Sequence, residues 1–232
     1  MAVGCWLVPA AGGAAVADST AVEGDRRGGW PSASPSTIGP WWAGVWVGAA
    51  FNSEFATRLG PRNRDFYLAG IRFGRQLAAS RALAVDYFVD VVPLLRSTNN
   101  PVEYRRETTT CDRFSCDTEL VMHTRTAHGF GVTPVGLQLR AFPRGRVQLV
   151  LGVGLGVAWY DARVPDPEEQ RLNFMGDLAA GLHVRRGYSG TVLAGIRHNH
   201  TSNASTGRVN PGLDSRVVYV GVSRSFDRRS QP

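Results

Sequence analysis

The stretch Arg146-Val147-Gln148-Leu149-Val150-Leu151-Gly152-Val153-Gly154-Leu155-Gly156-Val157-Ala158-Trp159-Tyr160-Asp161-Ala162 decides the fold. From Val147 to Trp159 every second residue is large and apolar, and the residues between them are Gln148, Val150, Gly152, Gly154, Gly156 and Ala158, with Tyr160 next. Period two belongs to strands, because successive side chains leave opposite faces of the pleat. A soluble sheet would turn its bulky apolar face inward and set a polar face outward. Here the second face is small rather than charged, which suits the crowded interior of a narrow barrel whose apolar face meets lipid. The Gly152-x-Gly154-x-Gly156 spacing does not make a nucleotide loop, since its intervals are wrong and no helical pattern follows.

The alternation recurs on both sides of this stretch. Leu83, Val85, Tyr87, Val89 and Val91 oppose Ala84, Asp86, Phe88 and Asp90. Leu172, Phe174, Leu178, Ala180 and Leu182 oppose Asn173, Asp177, Gly181 and His183. Val218, Val220, Val222 and Phe226 oppose Tyr219, Gly221, Ser223 and Ser225, and weaker examples cover 41–52, 66–78, 129–142 and 190–202. The total is eight strands of roughly ten residues, the length a tilted membrane strand needs. The expected fold class is all-β, an eight-stranded antiparallel transmembrane β-barrel. Arg72, Asp86, Asp90, Gln138, Arg140, Asp177 and Arg197 fall on the inward face, where opposite charges would pair. The connections near 79–80, 143–145 and 185–189 are short, while those near 52–65, 97–127, 161–170 and 201–214 are long. Membrane barrels keep short turns in the periplasm and long loops outside, so 200–214 is expected at the outer surface.

Composition agrees with this reading. No run reaches the roughly 18 uninterrupted apolar residues of a spanning helix, and a mean hydropathy of −0.15 hides alternating strands. All 26 basic residues are Arg, spread along a chain of net charge +7. Nucleic acid is not an expected partner, because no reader motif or basic aromatic stripe accompanies the charge; Arg forks suit phosphorylated lipid heads better. Residues 1–17 are small and apolar and end in Ala15-Val16-Ala17, a candidate signal peptide without the usual positive start. Residues 18–39, rich in Gly, Pro and Ser, read as a flexible lead-in, and 40–228 as the barrel domain. Cys111 and Cys116 stand in a long polar loop, where an oxidising envelope favours a local disulfide over a metal pair.

The seventh strand ends in His198-Asn199-His200-Thr201-Ser202-Asn203-Ala204, followed by Asn210-Pro211-Gly212-Leu213-Asp214. His200 and Ser202 are two apart and share a face, and counting back through Ile196, Ala194 and Val192 makes it the lipid face. Polar groups at a lipid-facing rim need partners. Asp214 opens the eighth strand and can lie beside His200 across the pair, so the three residue types fit nucleophile, base and orienting carboxylate. Taken singly, each has a plainer reading: a rim histidine, a polar loop serine, a turn-capping aspartate. His198 and His200 also form a same-face pair, but no third ligand completes a metal site.

Those residues resemble the PagL-type lipid A 3-O-deacylases of the bacterial outer membrane. That family carries His-x-Ser-Asn-Ala near the end of its seventh strand, an Asn-x-Gly in the connecting loop and a Glu fourteen residues after the His. Here the motif reads His200-Thr201-Ser202-Asn203-Ala204, the loop reads Asn210-Pro211-Gly212, and the fourteenth residue is Asp214. The resemblance implies His200 as base, Ser202 as nucleophile and Asp214 as carboxylate, with Asn210, Asn203, Ala204 and Gly212 as oxyanion or site support. It further implies an outer-membrane serine esterase that removes an ester-linked acyl chain from lipopolysaccharide without metal or cofactor, and it leaves a homodimer open. Asp for Glu is the departure, because the arm is one methylene shorter. The competing reading is a non-enzymatic small outer-membrane barrel with a structural or binding role.

Overall fold

The computed structural model describes residues 38–55, 64–106, 110–111, 116–117, 120–187, 189–210 and 212–226. The candidate signal peptide and nearly all of the lead-in fall outside them. Eight long strands form one closed antiparallel barrel: β1 (Trp41–Phe55), β2 (Arg64–Ala79), β3 (Leu83–Arg106), β4 (Leu120–Ala141), β5 (Val147–Tyr160), β6 (Leu172–Arg186), β7 (Gly190–Ser202) and β8 (Leu213–Ser225). Each strand pairs with its sequence neighbours, and β1 closes on β8 through partners running from Trp42↔Ser225 to Phe55↔Leu213. Closure leaves no unpaired edge, which is what a strand protein must achieve in hydrocarbon.

The expected facing is observed. Leu149, Leu151, Val153 and Leu155 of β5 point out, as do Leu172, Phe174, Leu178 and Leu182 of β6 and Val218, Val220 and Val222 of β8. Exposure of 58% at Leu151 and 67% at Leu155 would be costly in water. Repeated around a closed barrel it makes an apolar belt for lipid. Inside, small residues oppose large ones: a side chain at Gly70 would strike the Trp46 ring, and one at Gly136 the Phe88 ring. Gly152 is different, because an added Cβ would sit 3.6 Å from the Leu137 carbonyl, an ordinary contact. Crowding on this face of β5 is instead at Gly154 and Gly156, against Thr133 and the Val132 carbonyl.

The lumen charges pair with one another. Arg72 donates two bonds of 2.6 Å to the Asp90 carboxylate, and Arg197 reaches the same group at 3.4 Å and Asp177 at 3.7 Å. Arg140 forks onto Asp86 at 2.5 and 2.8 Å, and Gln138 adds a third bond at 3.0 Å. The guanidinium planes lie over aromatic faces, Arg72 at 3.9 Å from the Phe88 ring centre and Arg197 at 4.2 Å from Trp46. Bidentate geometry and stacking offset the desolvation of these ions, which burial alone would make costly.

The structure differs from the sequence reading in the third connection. Residues 97–106 and 120–127, expected within a loop, extend β3 and β4 as a ladder from Asn100↔Arg125 to Arg106↔Leu120. Register shifts interrupt that ladder after Val92, Ser97 and Pro101. Backbone pairing continues there, but the shifts break the period-two pattern, above the bilayer the outward face meets water rather than lipid, and the inward face buries polar Ser97 and Asn100, so neither face is marked as apolar. Beyond this hairpin, Thr110–Cys111 pairs with Cys116–Asp117, and Cys111 and Cys116 are joined by a disulfide with their Cα atoms 4.1 Å apart.

Candidate functional site

The outer ends of β6, β7 and β8 place the motif residues side by side. In the β7–β8 ladder Asp214 lies directly opposite His200, so their side chains leave the same face. Directly opposed residues on antiparallel strands hold their Cβ atoms about 5 Å apart. An aspartate therefore reaches the imidazole, and Asp214 Oδ1 lies 2.8 Å from His200 Nδ1. This contact leaves Nε2 as the ring nitrogen not held by the carboxylate. His198, one pleat closer to the membrane, brings its Nε2 to 3.5 Å from the same Oδ1. The His200, His198 and Asp214 side chains remain 46%, 50% and 38% exposed, in contrast to the sealed lumen pairs.

Ser202 is the last residue of β7 and lies opposite Phe174 of β6, on the outer face with His200. Its hydroxyl makes no hydrogen bond to a described residue, His200 included. Across β6 from His200 stands Gly176, where an added Cβ would meet nothing within 4 Å. The missing side chain leaves an open notch beside the imidazole. Laterally, Ser202, Phe174, Val157 and Val132 follow one another across β7, β6, β5 and β4 by strand pairing. Over the far end of this row lies an apolar cleft of about 460 Å³ between Phe130, Val132, Val157, Trp159 and Leu172. A polar triad of residue types thus stands at one end of an apolar track on the lipid side.

The turn after Ser202 is tightly built. Ala204 and Ser205 both have left-handed backbone, φ 51° and 61°, a conformation that costs energy without glycine. Asn203, fully buried, holds it: its Oδ1 accepts from the Ser205 N–H at 2.9 Å, and its Nδ2 donates to the Val209 carbonyl at 2.7 Å and to Glu169. Thr206 donates to the Asn203 carbonyl from its hydroxyl at 2.6 Å and from its N–H at 3.1 Å. Asn210 donates to Ser205 Oγ at 3.2 Å rather than toward Ser202. Gly212, at φ 62°, supplies the left-handed backbone that leads into β8.

Glu169 carried no signal in the sequence, where Asp166-Pro167-Glu168-Glu169-Gln170 reads as polar loop. In the structure it is only 2% exposed. Burial, reinforced by the nearby Asp166 charge, pushes its carboxyl up to about 7, against the opposing hydrogen bonds from the Gln170 backbone and Asn203.

The family model of the lipid A 3-O-deacylases (PagL) matches residues 100–223, more than half of the chain. Among solved structures, the outer membrane enzyme PagL is similar with a TM-score of 0.56 and 13% identity, covering 76% of this chain and 97% of that one. Neisserial surface protein A (TM-score 0.46, 11% identity) covers 82% of this chain and 99% of its own. The outer membrane protein OprG from Pseudomonas aeruginosa (TM-score 0.46, 10% identity) covers 82% and 98%. No curated protein sequence matches the chain.

Proposed function

The chain belongs to the PagL family of lipid A deacylases, and on that premise we propose that Ser202, His200 and Asp214 hydrolyse the 3-O ester of lipid A in the outer leaflet of the bacterial outer membrane. The observation that carries this reading is the 2.8 Å contact between His200 Nδ1 and Asp214 Oδ1, formed on the same outward face as Ser202. Asp214 accepts a hydrogen bond from the Nδ1–H and so fixes the tautomer in which Nε2 is the base. Nε2 takes the Ser202 proton as Oγ attacks the ester carbonyl. Collapse of the tetrahedral intermediate then breaks the bond to the sugar oxygen, which receives that proton. Water, deprotonated by His200 in turn, releases the hydroxy fatty acid from Ser202.

Several features support a lipid substrate rather than a soluble ester. The hydroxyl and imidazole stand on the face that continues into the apolar belt, so an acyl chain can lie along the Phe174–Val157–Val132 row while its ester meets Ser202. The notch at Gly176 gives the sugar side room beside the imidazole. The strained turn at Ala204 and Ser205 brings backbone next to Ser202. The Ser205 and Thr206 N–H groups are bound to Asn203, so the Ala204 N–H is the one that would serve a developing oxyanion, with Asn210 supporting the turn through Ser205. The missing bond between Ser202 and His200 is compatible with a substrate-free site, in which such bonds are often long and tighten only around the reacting ester.

The test is release of hydroxy fatty acid from lipopolysaccharide in detergent by the purified, heat-modifiable barrel. Wild type is expected to turn over, Ser202→Ala to be inactive, and Asp214→Asn to stay folded but slow. A folded wild type with no activity would favour the non-enzymatic barrel.

A further inference from the structure

We infer that Glu169 is a positioning residue for Ser202: as the acceptor for Asn203, it locks the turn that follows the nucleophile onto the neighbouring 161–171 loop. The inference rests on the reading of Ser202 given above and goes beyond the three residues of the triad.

The lock is a chain of contacts running inward from the barrel wall. The 161–171 loop is tied to β4 by the His128 N–H, which donates to Asp161 Oδ1 at 2.9 Å. It is tied to β2 by Arg64 Nη2, which donates to the Pro165 carbonyl at 3.2 Å. Its own ends are joined where the Tyr160 N–H donates to the Arg171 carbonyl at 2.9 Å. From this anchored loop two adjacent residues reach the turn after Ser202. Glu169 Oε2 accepts from Asn203 Nδ2, and Gln170 Nε2 donates to the Thr206 carbonyl at 2.9 Å.

Asn203 is the residue through which this support acts. It is peptide-bonded to Ser202, fully buried, and engaged at once with Glu169, Val209 and Ser205. The two left-handed residues it caps would relax toward ordinary backbone if the cap were released, and Ser202 would move with them. Glu169 is an unusual choice for a merely structural acceptor. It is buried, and its second oxygen, Oε1, has no hydrogen-bond partner among the described residues. An apolar side chain would fill that space without a buried carboxyl but would offer Asn203 Nδ2 no acceptor there, so filling the loop alone does not account for the residue. Holding Asn203 in one rotamer does, because a displacement of about 1 Å at a reacting atom costs roughly a hundredfold in rate.

The experiment compares wild type, Glu169→Ala, Glu169→Gln and Ser202→Ala as full-length barrels refolded in detergent, with heat-modifiability reporting the fold. Two readouts are taken: kcat and KM for lipid A deacylation, and hydrogen exchange of the Ser205 and Thr206 amides. Glu169→Ala is expected to lower kcat by roughly tenfold to a hundredfold with KM little changed, and to speed exchange at both amides. Glu169→Gln, which keeps an oxygen acceptor for Asn203, is expected to restore amide protection and most of the turnover. Unchanged exchange in Glu169→Ala, or a Glu169→Gln as impaired as the alanine, overturns the inference. Retained activity in Ser202→Ala would instead overturn the nucleophile assignment, and the exchange readout would still decide whether the lock exists.

Discussion

Two clusters of charged and polar side chains sit on opposite faces of the same β7 strand, and they are built in opposite ways. In the lumen, Arg197 joins Asp90 and Asp177, with none of these side chains more than 9% exposed, and Asp90 also takes both prongs of Arg72. On the outer rim, His200 and Asp214 make one good contact, remain about two-fifths exposed, and stand beside a serine whose hydroxyl has no described partner. The lumen set is nearly saturated, as a set that only holds structure must be. The rim set keeps an unengaged nucleophile, an open ring nitrogen and an empty notch, which are what a reacting substrate would fill. Within one strand, the polar residues to suspect of chemistry are those left incompletely paired where a substrate can reach them.

The comparison breaks most readily at the rim. Ser202→Ala and His200→Ala should each reduce turnover by about 10⁴-fold or more, and the double variant should add little, because nucleophile and base act as a unit. Multiplicative losses in a kinetic comparison of the four proteins would show that the two do not cooperate. All four should remain heat-modifiable, since neither residue contributes to the lumen.

Asp90→Ala should do the reverse. It leaves Arg72 and Arg197 buried without their shared carboxylate and should destabilise the barrel by roughly 3–5 kcal/mol, seen as a lower urea midpoint in liposomes. A stable Asp90→Ala with impaired catalysis would move the lumen network from structure into mechanism.

A smaller effect separates the two faces of β5. Leu151→Arg places a charge in the apolar belt and should cost roughly 2–4 kcal/mol in a bilayer. Gly152→Ala, next to it but facing a lumen gap, should be close to neutral because its Cβ has ordinary contacts. Equal costs in liposome unfolding would contradict the assigned facing.

The smallest effect concerns the loop that holds the Ser202 turn. The Glu169 carboxyl is pushed up to about 7 in the closed loop by burial, with Asp166 adding like charge and Arg64 lying by Asp166. A raised carboxyl gives the closed form stability that is fully present below the ordinary glutamate value of 4.5 and is lost as pH rises through about 7. Amide exchange at Ser205 and Thr206, corrected for intrinsic base catalysis, should therefore quicken between those limits in wild type and stay flat in Glu169→Gln. A flat wild-type profile would mean that closing the loop leaves the Glu169 carboxyl at its ordinary value.

Much of this was legible in the sequence wherever a membrane imposes a pattern. The β5 alternation from Val147 to Tyr160 marks its facing residue by residue, because lipid tolerates only one kind of side chain on that face. The His200–Asp214 register was equally readable, since the hairpin fixes which residues oppose. Above the membrane the constraint disappears, so the ladder through Asn100↔Arg125 and Arg106↔Leu120 is written in backbone bonds that leave no mark on side-chain type. Glu169 was illegible for another reason: its partner Asn203 is 34 residues away, joined through the packing of two loops that no local period reports. Asn210 shows the limit of a motif, which gives a residue's place in the loop but not that its amide turns to Ser205.

The most direct measurement is mass spectrometry of lipid A from cells that express wild type or Ser202→Ala at equal levels in the outer membrane. Wild type should yield lipid A lighter by one ester-linked 3-hydroxyacyl chain, with the free hydroxy fatty acid recovered, and Ser202→Ala should leave lipid A intact. Loss of the same chain in both, or in neither, would contradict a serine deacylase on the outer rim of this barrel.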